Sequence, residues 1–267
     1  MSLHIIKIHK YSAKIIGYIT LTPPMKTHFL ACSLALTSTI FTSNVFAQSD
    51  PEDSILTFKL TPSYYHISNG NDGTDLNLRA EYGGHYGWVG YYHDRQGFAQ
   101  TRVGYEYHAD FGYVRTVASA QAATHGFVGG SLNAEIGGDT YALVGWGRTN
   151  LQDYYNLNFD PNDAVTLGIG TRAIQDTELS LFTTADDRLG TGQRVTHLIA
   201  RKMLNKQQRL TLDITHKSGT SSEGNNVAGN GISLGYDFEP WFVRVAYDPY
   251  VNFTESQMLL FALGKRF

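Results

Sequence analysis

A histidine and a serine two residues apart, His66 and Ser68, are the best candidates in this sequence for nucleophilic chemistry. A serine hydroxyl becomes reactive when a neighbouring imidazole accepts its proton. Alternate residues of a β-strand lie on one face, so the two side chains could be close enough for proton transfer. Counting back along the apolar residues Leu56, Phe58 and Leu60 predicts that this face points outward.

The stretch that contains this pair, Tyr-Tyr-His-Ile-Ser-Asn-Gly at 64–70, also carries a resemblance to known enzymes. Its His-x-Ser-Asn-Gly motif resembles the catalytic stretch of outer-membrane phospholipase A, and its His-x-Ser resembles that of lipid A 3-O-deacylases. The resemblance implies a lipid acyl hydrolase at the outer leaflet, with Ser68 as nucleophile and His66 as base.

The rest of the catalytic pattern departs from those families. An Asn or a Glu further along their chains orients the histidine, whereas the matching position here is Ala80. Glu81 is predicted to point into the interior, away from the histidine. Glu255, near the last strand, could orient the histidine instead. A polar strand end that enters a Ser-Asn-Gly-Asn-Asp-Gly turn explains the same residues without catalysis. We therefore interpret the segment as a turn, with acyl hydrolysis as the alternative.

The composition favours a single all-β domain. Of the 267 residues, 42% are hydrophobic and 13% aromatic, with 27 Gly and 17 Tyr. No apolar run reaches the roughly 18 residues that a membrane-spanning helix needs. From Ser54 onward, segments of roughly ten residues instead alternate between apolar and polar side chains and are separated by Gly, Asn and Asp.

Residues 1–47 have the features of a signal peptide, with Met25 as an alternative true start. A basic stretch precedes an apolar run at 29–41, and Ala47 ends a small-residue cleavage site. Cys32 lies in that apolar run, and we interpret it as part of the signal rather than as a lipid attachment site. The mature domain would then be 48–267, without cysteine and hence without disulfides.

Cleavage would also make the protein more acidic. It removes no acidic residue, and the formal net charge falls from −3 to −7 because four of the 21 basic residues are lost, namely Lys7, Lys10, Lys14 and Lys26. An acidic protein is poorly suited to bind nucleic acid. We expect outer-membrane lipid and lipopolysaccharide as its surroundings, and no nucleic-acid partner.

The strand pattern predicts a single antiparallel transmembrane β-barrel of about fourteen strands, or of twelve if two short hairpins belong to loops. Short turns alternate with longer loops, which is typical of a barrel in the outer membrane with both termini in the periplasm. The last strand, which ends at Phe267, resembles the C-terminal strand that the barrel-assembly machinery reads in such proteins. The predicted strands lie near 54–68, 74–82, 87–93, 99–108, 111–122, 126–136, 139–150, 163–173, 176–186, 192–203, 207–218, 229–239, 241–249 and 256–267.

Apolar and charged residues fall on opposite faces of these strands. Aromatic residues such as Tyr105, Tyr236 and Trp241 lie near strand ends on the apolar face, as in a girdle at a bilayer interface. The charged face would line the lumen. The predicted lumen-lining residues are Lys59, Arg79, Glu81, Arg102, Glu106, Arg115, Glu135, Arg148, Arg172, Asp213 and Arg244.

This arrangement indicates a channel or porin-like barrel with a charged lumen, or a structural barrel if the inward charges pair with one another and close it. Residues 151–162 could fold inward as a constriction. A further hypothesis is a barrel that exports polysaccharide or binds an external partner, with the aromatic stretches at 154–155 and 250–253 as contacts.

The sequence predicts neither a metal site nor a cofactor. Oxygen-rich loops at 69–73, 160–163 and 186–187 lack the spacing of a calcium-binding loop. The ten histidines are scattered and form no pair at metal-ligand spacing.

Overall fold

A computed structural model describes residues 55–157, 159–161, 163–221 and 223–267. These residues form a closed barrel of fourteen antiparallel strands, as predicted. The predicted signal peptide lies outside the described residues. The strands are β1 Thr57–Ile67, β2 Gly73–Tyr82, β3 His85–Asp94, β4 Ala99–Asp110, β5 Val114–Ala123, β6 Phe127–Gly137, β7 Thr140–Thr149, β8 Ala164–Ile174, β9 Thr177–Asp186, β10 Arg194–Asn205, β11 Gln208–Thr220, β12 Asn226–Phe238, β13 Trp241–Asp248 and β14 Met258–Arg266.

Each strand pairs with the next along the chain, and β1 pairs with β14 to close the barrel. At this seam Ile67 lies opposite Met258. The ladder continues to the chain end, where the N–H groups of Phe58 and Phe267 each donate to the other residue's carbonyl, at 2.8 and 2.9 Å. Closure satisfies the backbone polar groups that an open sheet edge would expose to lipid.

The two ends of the barrel differ in their connections. The turn end carries short turns such as 83–84 and 206–207, together with the chain's C-terminus. The loop end carries the longer connections, above all 150–163 and 249–257, and two short 3-10 turns, Thr124–Gly126 and Val251–Phe253. Within the described part of the chain, no helix is long and apolar enough to cross a membrane.

The starts of β1, β5 and β12 each differ by three residues from the sequence prediction. β5 begins at Val114 rather than near 111, because Gly112 adopts a φ of 80°, which glycine tolerates best, and its N–H donates to Asp110 Oδ1 at 2.7 Å. β12 begins at Asn226 rather than near 229, because its ladder with β11 continues to the pair Thr220–Asn226.

Large apolar side chains cover the outer surface of the barrel. Leu167 and Ile169 on β8 are 64% and 62% exposed. The same outward face continues around the sheet through residues such as Val103, Leu132, Leu181, Leu198, Ile232, Leu234 and Phe261. Because such a surface is stable against lipid and not against water, the barrel spans a membrane.

Candidate functional site

The predicted lumen residues point into the barrel, with one exception. The alternation is clear on β11, where Asp213 and Thr215 are buried inside while Leu210 and Ile214 are exposed outside. Side chains of the same inward parity on the other strands are Lys59, Arg79, Glu81, Arg102, Glu106, Arg115, Glu135, Arg172 and Arg244.

Arg148 is the exception, and its placement corrects the sequence prediction. It shares the outward face of β7 with the half-exposed Trp146, and its guanidinium lies 4.7 Å from the centre of that indole ring. The side chain also pairs with Asp187 in the neighbouring loop, at 2.5 Å. Arg148 lies next to the loop end, beyond the apolar band, and there a charged residue can face outward without entering lipid.

Inward charges pair across alternate strands. Arg102 on β4 reaches Asp75 on β2 at 2.7 Å, passing over Gly90 of the strand between them. A methyl group at Gly90 would lie only 3.0 Å from Arg102 Nη2, so the glycine leaves the space for this crossing. Arg79 on β2 similarly reaches Glu106 on β4 at 2.6 Å. These pairs brace the wall from inside.

A second group of ion pairs lines the wall from β6 to β10. Arg172 contacts Glu135 at 2.7 Å and Glu178 at 2.8 Å. Glu178 also contacts Arg201 at 3.1 Å and accepts the hydroxyl of Tyr141 at 2.6 Å. One glutamate thus joins three side chains from three strands.

Several inward ionic residues were missing from the predicted lumen set. Lys217 and Asp248 form a fully buried pair at 2.7 Å. Arg266 also lies inside and shares Asp237 with Arg209, at 2.6 and 3.1 Å. The residues Asp75, Arg201 and His197 belong to the same class. Period-two parity could have placed each of them inside, but nothing local to the sequence identifies the partner.

Residues 151–157, 159–161 and 163, termed the inward segment, fold into the loop end of the lumen. Gln100 on β4 holds the backbone of Tyr155 by two hydrogen bonds, donating to its carbonyl at 3.2 Å and accepting its N–H at 2.9 Å. His197 on β10 contacts Asp160 of the segment at 2.9 Å and Asp213 of the wall at 3.1 Å. The segment that the sequence analysis considered as an inward loop therefore does fold inward and contact the wall.

An apolar cluster lies beside the inward segment at the loop end. Tyr155 stacks on Tyr92 with ring centres 4.6 Å apart, and Phe159 packs with Val195 and Phe253. One hypothesis from the sequence took the aromatic stretches at 154–155 and 250–253 as candidate contacts for an external partner. In the structure the side chains of Tyr154, Val251 and Phe253 are buried in the barrel.

His66 lies outside the barrel at the loop end and is oriented by a residue that sequence reasoning missed. Its Nδ1 lies 2.9 Å from Asp72 Oδ1. Asp72 also accepts the hydroxyl of Tyr64 at 2.8 Å and the N–H of Ile67 at 3.1 Å. These hydrogen bonds, the one from Tyr64 above all, hold the pKa of the Asp72 carboxyl below its ordinary value.

Ser68 is hydrogen-bonded to the residue that precedes the last strand rather than to His66. Its Oγ accepts the backbone N–H of Gln257 at 2.9 Å. No hydrogen bond joins His66 to Ser68 in the described structure. Ala80 pairs with Phe58 near the turn end, so its position does not face His66. Glu255 accepts a hydrogen bond from Asn225 at 2.8 Å instead.

The oxygen-rich loops are occupied by internal contacts. Asp186 accepts backbone N–H groups of the 187–193 loop, and Asp163 pairs with Arg188 at 2.8 Å. Among the described residues, no group of three or more His, Cys, Asp or Glu side chains has a geometry that could hold a metal ion.

Comparisons with known proteins identify the fold. No protein-family model matches the sequence, and no curated protein matches it. Among solved structures, the outer membrane protein Omp33 of Acinetobacter baumannii is similar, with a TM-score of 0.51 at 11% identity, over 79% of this chain and 98% of that one.

Two porins give lower scores. The KdgM porin has a TM-score of 0.45 at 9% identity, over 78% of this chain and 99% of that one. A mutant porin of Rhodopseudomonas blastica has a TM-score of 0.47 at 9% identity, over 80% and 100%. The similarity to Omp33 shows that this chain has the fold of a bacterial outer-membrane β-barrel, and its apolar outer surface is the one that such a location requires.

Proposed function

We propose that the protein is a porin-like channel of the bacterial outer membrane for small polar solutes, narrowed at the loop end by the inward segment. The observation that carries this proposal is the segment itself, a loop folded into a closed barrel and fixed to a charged wall by Gln100 and His197. A barrel that served only as a membrane anchor would not require such a loop in its lumen.

The turn-end half of the lumen supports the proposal. The side chains of Arg115, Arg172 and Arg266 remain 26%, 22% and 33% exposed, although they face inward. Charged groups of this kind keep water beside them, and a hydrated lumen lined by charges selects solutes by size and charge. The narrow part of the path would then be the loop end, where the inward segment and its apolar cluster lie.

A closed structural barrel is the second candidate. It is favoured by the paired charges, since Arg79–Glu106 and Arg102–Asp75 brace the wall, and by the burial of Lys217 with Asp248. In that case the ion pairs stabilise the barrel and do not bind or select solutes.

Planar-bilayer recording separates the two candidates. We expect discrete current steps from the purified mature protein, absent when detergent alone is added. Repeated insertion into the bilayer without any current would favour the closed barrel.

We further propose that the loop end faces outward toward lipopolysaccharide, and that Phe267 forms part of the signal for barrel assembly.

Acyl hydrolysis and external recognition receive less support. Ser68 Oγ contacts Gln257 rather than His66, although Asp72 supplies the orienting carboxylate that the sequence pattern lacked. The aromatic stretches considered for partner binding or polysaccharide export are largely packed in the lumen.

A further inference from the structure

Three arginines on the turn-end half of the lumen wall form one group, termed the arginine cluster. They are Arg172 on β8, Arg201 on β10 and Arg209 on β11. Glu178 on the intervening β9 binds the first two. Arg201 lies opposite Thr211 in the β10–β11 ladder, and Arg209 is two residues from Thr211 on the same inward face. Three guanidinium groups therefore converge on one stretch of wall.

The carboxylates beside the cluster are already shared. Glu178 uses Oε1 for Arg172 and for the hydroxyl of Tyr141, and Oε2 for Arg201. Glu135 serves Arg172 and also Arg115. Asp237 serves Arg209 and also Arg266. Each of these acids thus neutralises part of two guanidinium charges, which leaves positive charge uncompensated on this part of the lumen wall.

Hydrogen-bond donors of the cluster are also left over. Arg172 Nη1, Arg201 Nε and Arg209 Nε are buried and have no hydrogen-bond partner among the described residues. The Arg201 side chain is only 5% exposed. Arginine does not lose its proton in proteins, so burial cannot be relieved by neutralising the group. An unsatisfied buried charged donor is costly, and a bound acceptor would remove that cost.

We propose that the arginine cluster binds an oxyanion, a carboxylate or phosphate group of a solute in the lumen. This inference rests on the proposed channel function and names its solute class. The planar guanidinium presents paired N–H groups that match two oxygens of a carboxylate or phosphate. A monatomic anion such as chloride cannot form this two-point contact. Tyr141 preorganises the site, because its ring centre lies 4.1 Å from the Arg172 guanidinium while its hydroxyl holds Glu178.

Thermal unfolding of the detergent-purified mature barrel tests the site without requiring conduction. The midpoint is measured against rising inorganic phosphate, and separately succinate, with chloride adjusted to keep the ionic strength constant. We expect both oxyanions to raise the midpoint. Arg201→Gln and Arg209→Gln should each require at least about tenfold more oxyanion for the same rise, a loss of roughly 1.4 kcal/mol in binding free energy.

Lys202→Gln is the matched control. Lys202 is the next residue on β10, lies on the outward face and carries the same charge. It should leave the oxyanion response unchanged. Arg209 is less buried than Arg201, so its variant keeps the test open if Arg201→Gln fails to fold.

The inference is overturned if neither oxyanion stabilises the barrel more than chloride does, or if Lys202→Gln weakens the response as much as the cluster variants. A response to phosphate alone, or to succinate alone, supports the site and identifies which oxyanion it takes. Current without an oxyanion response refutes this inference and leaves the channel standing. An oxyanion response without current supports the oxyanion site and refutes the channel.

Discussion

His197 Nε2 lies 2.9 Å from Asp160 Oδ1, and this contact joins the inward segment to the barrel wall. The other ring nitrogen of His197 faces Asp213 at 3.1 Å. Carboxylate oxygens accept hydrogen bonds and do not donate them, so the ring fits this position best with a proton on both nitrogens. The contact couples the inward segment to strands that lie across the barrel from Gln100.

Removing this contact should loosen the inward segment. In His197→Ala, Asp160 and Asp213 lose their shared partner in a buried site, which typically costs about 3–5 kcal/mol. We expect a lower thermal midpoint and a larger, noisier single-channel current. His216→Ala is the control, since His216 lies on the outward face of the adjacent strand. Equal effects of both substitutions would show that the contact has no special role.

Arginine substitutions on the outward face test membrane embedding. Ile232→Arg, near the middle of β12, should destabilise the barrel by about 2–4 kcal/mol, because a charge there enters the bilayer core. Ala228→Arg, on the same face near the loop end, should cost about 0–1 kcal/mol. Unfolding by denaturant in lipid vesicles gives both values. Similar costs at the two depths would contradict a bilayer around this surface.

Asp72 should make the β1–β2 connection sensitive to acid. Its folded-state pKa is lowered, so its contribution to stability is present above the ordinary Asp value of 3.8 and is lost as pH falls through the lower folded value. We expect Asp72→Asn to lower the thermal midpoint near neutral pH, and the difference from the native protein to vanish once pH lies below the folded-state pKa of Asp72. Glu223→Gln, in an exposed loop-end turn, should show no such pH-dependent difference.

Acyl-chain release should stay at background. Because Ser68 Oγ is bonded to the Gln257 backbone and not to His66, the serine lacks a base in position. Purified protein incubated with phospholipid or lipopolysaccharide in detergent, with and without Ca²⁺, should release no fatty acid. Release that disappears in Ser68→Ala would instead make hydrolysis the leading function.

The sequence predicted the barrel because each strand needs only a two-residue alternation to define its faces. That signal is local, so it placed Asp213 and Arg244 inside and Leu234 outside. Arg148 was misplaced because it was assigned by its charge, whereas the alternation puts it on the outward face of β7 with Trp146.

The contacts inside the barrel could not be predicted from the sequence. Gln100 and Tyr155 are far apart in the chain, and they meet only because the barrel closes and the segment folds into it. Asp72 was missed for a related reason. The orienting residue was sought at Ala80 along β2, whereas the hairpin register brings the β1–β2 loop back beside His66.

Single-channel conductance of two proteins tests the central claim most directly. In one, the mature chain is native; in the other, residues 152–161 are replaced by a short Gly-Ser linker. A lumen narrowed by the inward segment predicts a small, stable conductance for the native barrel and a markedly larger one for the shortened variant, with equal insertion of the two proteins into the bilayer. Conductance that is the same in both, or absent from both despite insertion, would contradict the account.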